Sequence, residues 1–204
     1  MSLRTLHDVG ELAMPEKGLL AELDSGGYHQ CGDGSLPTAG DTARAIRASF
    51  LRLLLLGAPD VPRLHEKGLR LRGAWVTGIL DLKECRDLHG ITLADCRFDS
   101  PLILRSAGID SLLLDGSVLP GLAAERLQAK GGVHLRAVEI DGAIDLRGAL
   151  LDGDLVLDGS SVVRIGGIAF DAAYIVTRGD LTLRGSRILG AVKVVGARLT
   201  GDLA

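Results

Sequence analysis

Few residues in this 204-residue chain stand where their types and spacing could do chemistry, and the densest set is His29, Cys31 and Asp33. Alternate spacing on an extended loop can bring an imidazole, a thiol and a carboxylate to one side, and all three are ligand types that zinc accepts. A structural zinc site needs a fourth ligand, for which His7 and His65 are candidates, and paired spacing, so an ordinary polar loop is the expectation here. Gly32-Asp33-Gly34 is a fragment of a phosphate-binding fingerprint, without the strand that should precede it. No βαβ unit is legible, which argues against a nicotinamide enzyme of the common type. No Ser/His/Asp order, nucleophile elbow or carboxylate pair separates from the rows of Asp and Arg. The sequence therefore names no catalytic residue and no cofactor.

Composition narrows the class further. Hydrophobic residues make up 47% and aromatics only 3%, with 28 glycines, a balance that excludes disorder through low hydrophobicity. The longest aliphatic run, Leu53 to Leu56, is far short of the roughly 18 residues that span a bilayer, and no signal peptide is legible. Three cysteines, odd in number and sparse, fit a reducing compartment and a cytoplasmic location. Residues 1–68 carry 7 basic and 9 acidic side chains, and residues 69–204 carry 16 and 17. No basic stripe is present for nucleic acid, and no acidic face for mimicry of it.

An internal repeat supplies the elements that must position these residues. The segments IDLRGALLDGD from Ile144 and LVLDGSSVVRI from Leu155 share large aliphatics at positions one and three, a small residue at six and an aliphatic at eight. Leu69, Leu71, Ala74 and Val76 open the series, and Val192, Val194, Ala197 and Leu199 close it, with another unit beginning at Leu203. Leu80, Leu82 and Cys85 fit with a slip at Asp87/Leu88; the unit from Leu122 to Ala129 fits poorly; Ile168, Phe170, Ala173 and Ile175 are assigned to one unit. Positions one and three point one way on an extended strand, as do six and eight after a bend at a fifth-position glycine such as Gly148. Each unit is two short strands and two corners, and two units form a coil of about 22 residues. Leu, Ile and Val fill so narrow a coil, whereas Trp and Tyr would overpack it. A leucine-rich repeat needs an Asn or Cys ladder and a convex second half, and the chain contains no Asn.

Residues 1–68 do not fit the repeat and read as a mainly helical and loop cap. A short helix is expected over Leu3 to Met14 and a polar loop over Ser25 to Gly40. A second helix is expected from an N-cap at Asp41 through Ile46, Phe50, Leu53 and Leu54, stopped by Gly57 and Pro59. Its cations, Arg44, Arg47 and Arg52, are few for a membrane-surface helix, so membrane association lacks support in the sequence. Residues 69–204 form the repeat domain, which is expected to continue past Ala204.

The repeat resembles the pentapeptide-repeat family, whose small residue two places before a central Leu or Phe is matched by Ala94-Asp95-Cys96-Arg97-Phe98. That resemblance implies an all-β solenoid, a right-handed quadrilateral β-helix. The extra residue in each eleven marks a degenerate variant. The stretches TARAIRASFLRLLLLG, LRLRGAWVTGILDL and GARLTGDL are similar to bacterial proteins named membrane-associated oxidoreductases, over residues 42–204. The resemblance implies a redox activity or a place in a redox complex, and inhibition of a DNA-binding enzyme by mimicry is a further possibility among pentapeptide repeats.

From the residues themselves the expectation is a non-catalytic scaffold for protein–protein interaction. His134 should point outward between Leu113 and Val156 on neighbouring coils, making one slightly apolar face, with Ile103 and Ala169 on the opposite one. Trp75 and Tyr174 should face outward at the same position of different coils, and Phe98 and Phe170 inward. Cys85 and Cys96 should both be buried, reduced core residues on opposing walls. The partner is an unknown protein, or the chain itself through the open C-terminal coil.

Overall fold

Leu69, Leu71, Ala74 and Val76 are buried, while Arg70, Arg72 and Trp75 between them are at least partly exposed, the alternation of a strand, a corner and a second strand. Leu69 pairs in parallel with Ile91 and Ile91 with Leu112, and the same step recurs along the chain. The computed structural model describes residues 5–204 as a parallel β-solenoid of about 6 coils, about 22 residues apart, preceded by one small helical part. The first face carries Leu69, Ile91, Leu112, Val133, Leu155 and Leu181 on successive rungs. The second carries Val76, Phe98, Leu119 and Ile140, the third Leu102, Leu122 and Ile144, and the fourth Ile109, Ala129 and Leu151. One long strand, Ser161–Asp171, rounds a corner and joins the second and third faces into a ten-stranded sheet. No helix among the described residues is long and apolar enough to cross a membrane.

Every unit turns at its fifth residue through left-handed backbone. Gly73, Gly116, Gly148, Gly159, Gly185 and Gly196 have positive φ there, and so do Glu84, Asp95, Ser106, Arg126, Ala137 and Tyr174, with φ between 48° and 59°. Side-chain-bearing residues pay a steric cost in this region that glycine does not. Ala137→Gly should therefore raise the unfolding free energy, net of glycine's greater chain entropy, by about 0.5–1 kcal/mol, read as a higher thermal midpoint.

Departures from the template have physical causes. At the slip, Asp87 takes left-handed backbone with φ 54° as the extra residue, and Leu88 recovers the eighth place by pairing with Ile109. In the poorly fitting unit, Ala124 holds the third place and Leu127 the sixth, both fully buried, so the large and small side chains have exchanged positions. The assignment of Ile168 as a first position is corrected: Phe170 pairs with Ile144, so Phe170, Ala172, Ile175 and Thr177 are the inward residues, again with small before large. The shift follows from Arg164-Ile165-Gly166-Gly167, which swell the corner and lengthen that coil, so that Leu155 pairs with Leu181.

The cap is built as part of a coil. Strand β1, His29–Gln30, extends the first face by pairing with Leu71 and Arg72. Strand β2, Ala45–Arg47, extends the second by pairing with Trp75 to Thr77. The expected helix from Asp41 is corrected: Ile46 lies in β2, and helix α1, Ala48–Leu55, begins only after it. Asp41 instead precedes a single 3-10 turn, Thr42–Arg44. Phe50, Leu51 and Leu54 of α1 are buried, and Arg52 Nε donates to the carbonyl of Asp81 on the third face at 2.8 Å, so the helix seals the end of the solenoid. Short helices also occur at Leu6–Val9 and Met14–Ala21, inside and after the expected Leu3 to Met14 span, of which Leu3 lies outside the described residues.

Candidate functional site

The structure does not gather His29, Cys31 and Asp33 into one site. His29 Nδ1 lies 2.8 Å from the Glu22 carboxylate. Cys31 turns into the core, 3% exposed, where burial pushes its thiol up to about 11 despite nearby Arg44. Asp33 is exposed and accepts from the Ser35 hydroxyl at 2.6 Å and from Arg44 at 3.2 Å. His65 Nδ1 accepts from the Lys67 backbone N–H at 3.0 Å. Among the described residues no three His, Cys, Asp or Glu side chains are placed to hold a metal ion.

The thiols of Cys31, Cys85 and Cys96 are free. Cys96 is fully buried, and burial pushes its thiol up to about 12. Cys85 departs from the expectation: it is only half-buried at the slipped corner, its thiol also raised by burial.

The outward residues of the first face do form a column. Leu113 pairs with His134 and His134 with Val156, in the expected order, and the column continues to Thr92 above and Thr182 below. Leu113 and His134 are half-buried and Val156 is 4% exposed, so neighbouring side chains roof much of the apolar stripe. Arg136 Nη1 donates to His134 Nδ1 at 3.1 Å, which holds the ring as a neutral acceptor. Burial and the Arg136 charge depress the His134 pKa, against weaker opposing pulls from Asp115 and Asp154. An unfolded histidine titrates near 6.5. Stability should thus be level above that pH and decline as the pH falls through the lowered folded value, because the unfolded chain takes up the proton first. Urea midpoints of His134→Gln, compared with the parent between pH 7.5 and 5, should lack this part of the decline.

Beside this column runs one that the sequence reading missed. The fourth residue of each unit on this face gives Arg72, Ala94, Asp115, Arg136, Asp158 and Arg184, held rung by rung by the backbone ladder. Asp115 accepts from the Arg136 backbone N–H at 2.9 Å, and Asp158 accepts likewise from Arg184 at 2.9 Å. Arg72 Nε bonds Asp95 at 2.7 Å. Where Ala94 interrupts the charges a groove of about 410 Å³ opens, floored by Thr92 and Leu113 and bordered by Tyr28, whose ring lies 4.2 Å from the Arg70 guanidinium. The signal was available in the residue after each L-x-L, but it becomes a column only once the coils are stacked.

Other predicted surface residues are redistributed. Trp75 and Tyr174 do not share a position. Trp75 is half-buried on the second face between Ala45 and Arg97, whereas Tyr174 occupies a fifth-position corner, 67% exposed, with its ring over Gly196. Phe98 and Phe170 are buried. Ala169, expected outward with Ile103, is fully buried because the register around Phe170 differs. In the last described coil, Val192 and Val194 are each 50% exposed and Leu203 67%. The fold and this face thus define a capped parallel β-solenoid with a charged and apolar double column along one wall. Compared with protein-family models, with curated proteins and with solved structures, the chain matches none.

Proposed function

We propose that this protein is a non-catalytic repeat scaffold that binds a protein partner along its first face. The double column carries the reading: half-buried Leu113 and His134, with Val156 buried beside them, stand in register next to Asp115, Arg136, Asp158 and Arg184. A rigid parallel ladder presents such residues at a spacing of about 4.8 Å, with little conformational entropy left to lose on binding. Several acidic residues elsewhere are paired with cations, among them Asp110 with Lys130 at 2.8 Å and Asp145 with Arg147 at 2.6 Å, which supports a scaffold over an acidic mimic of DNA. The test is comparative capture with the full chain and with Leu113→Arg as baits. A reproducible partner held by the parent and lost by the variant is the expected result. A partner held equally by both, or a redox activity with a bound chromophore that accompanies both, overturns the reading.

A further inference from the structure

We infer that the first face binds a second copy of this chain, packed face to face about a two-fold axis parallel to the strands; the inference rests on the scaffold reading above. Rotation about such an axis reverses the order of the coils but lays each column back over itself. With the axis midway between the rungs of Arg136 and Asp158, Arg136 meets Asp158 of the second copy, and Asp115 meets its Arg184. Each contact occurs twice, as an isologous interface requires. The same operation sets His134 over Val156 and Leu113 over Thr182.

Repulsion disfavours the half-coil registers, and the number of opposite-charge pairs disfavours the full-coil ones. Moving the axis half a coil one way sets Asp115 against Asp158. Half a coil the other way sets Arg136 against Arg184. A full coil toward the cap keeps Asp115 against Arg136 but sets Arg72 against Arg184, and a full coil away from it leaves only Asp158 against Arg184. The half-coil shifts join like charges, and the full-coil shifts match fewer opposite charges than the register above.

Two observations point to a second copy rather than to an unrelated partner. Rung-by-rung matching needs a surface with the same pitch, about 4.8 Å, which another copy of the solenoid has by construction. In addition, Asp158 binds only the backbone of Arg184, and neither side chain has an ion-pair partner among the described residues, although Arg136 already pairs with Asp115 at 3.4 Å. Four rungs, three steps apart end to end, span only about 14 Å, so the dimer is weak and sensitive to salt.

Sedimentation velocity on the 204-residue chain at low salt, over a range of roughly 1–500 μM, tests this, with dimer expected at the upper end and lost at about 0.5 M salt. Arg136→Asp should weaken association about tenfold or more, and adding Asp158→Arg should restore it, because both symmetry-related pairs are then reversed. Val194→Asp, on the exposed last coil, should leave association unchanged, and thermal melts of each variant show that it is folded. A monomer throughout, no recovery in the double variant, or loss of the dimer in Val194→Asp overturns the inference. A monomer whose first face still captures a different protein overturns the second copy alone and leaves the scaffold reading standing.

Discussion

Glu16→Ala should lower the unfolding free energy by about 3 kcal/mol, with the cap released before the coils. Glu16 is fully buried and receives Arg47 Nη2 at 2.6 Å, Arg47 Nε at 2.8 Å, and the backbone N–H groups of Arg47 and Ala13 at 3.0 Å. Removing one member of a buried pair leaves the other without its counter-charge, which costs about 3–5 kcal/mol. The lower end applies because the Arg47 side chain is 37% exposed and keeps the carbonyls of Val9 and Glu11 at 2.7 and 2.9 Å. Burial alone would raise the Glu16 pKa, but the Arg47 and Ala13 hydrogen bonds and the Arg47 charge outweigh it and hold the carboxyl below 4.5. The stabilisation is thus complete above the unfolded value and is lost as the pH falls through the lower folded one. Urea unfolding of parent and Glu16→Ala should converge in acid, and proteolysis should cut the variant first within residues 5–47.

Leu127→Ala should cost about 2–5 kcal/mol, and adding Ala124→Leu should recover most of it. Leu127 and Ala124 are both fully buried, in a unit whose third and sixth positions carry the reverse of the usual sizes. Truncation alone leaves a cavity that a tightly packed coil cannot close. The double variant returns the unit to the order of its neighbour, in which Leu146 is third and Ala149 sixth, both fully buried. Additive losses, read from urea midpoints, would show that the two places do not share one volume.

The same exchange explains which parts of the fold were legible in the sequence. Period-two aliphatics with a small sixth residue identify a coil of about 22 residues wherever both signals hold, as from Leu69 to Ile109. They mislead around Phe170, because Ile168 imitates a first position and only strand pairing shows where the four-residue swelling from Arg164 to Gly167 belongs. In the cap, Ile46 has helical spacing to Phe50, yet its neighbour is Val76 on an open sheet edge, and pairing with that edge outweighs local propensity. His134 between Leu113 and Val156 followed from the repeat alone. The charged column beside it depends on which coils stack and in what register, information that lies between units rather than within one. His29, Cys31 and Asp33 separated because β1 is a strand whose continuation buries Cys31, which a loop reading does not anticipate.

That the first face is the working surface is tested most directly by photo-cross-linking from each wall in turn. A photoreactive phenylalanine would replace Leu113 on the first face, Glu139 on the second, Ala123 on the third or Gln128 on the fourth. A discrete adduct is expected from position 113, and it should disappear in the Arg136→Asp background. Adducts from positions 139, 123 or 128 with none from 113 would contradict it.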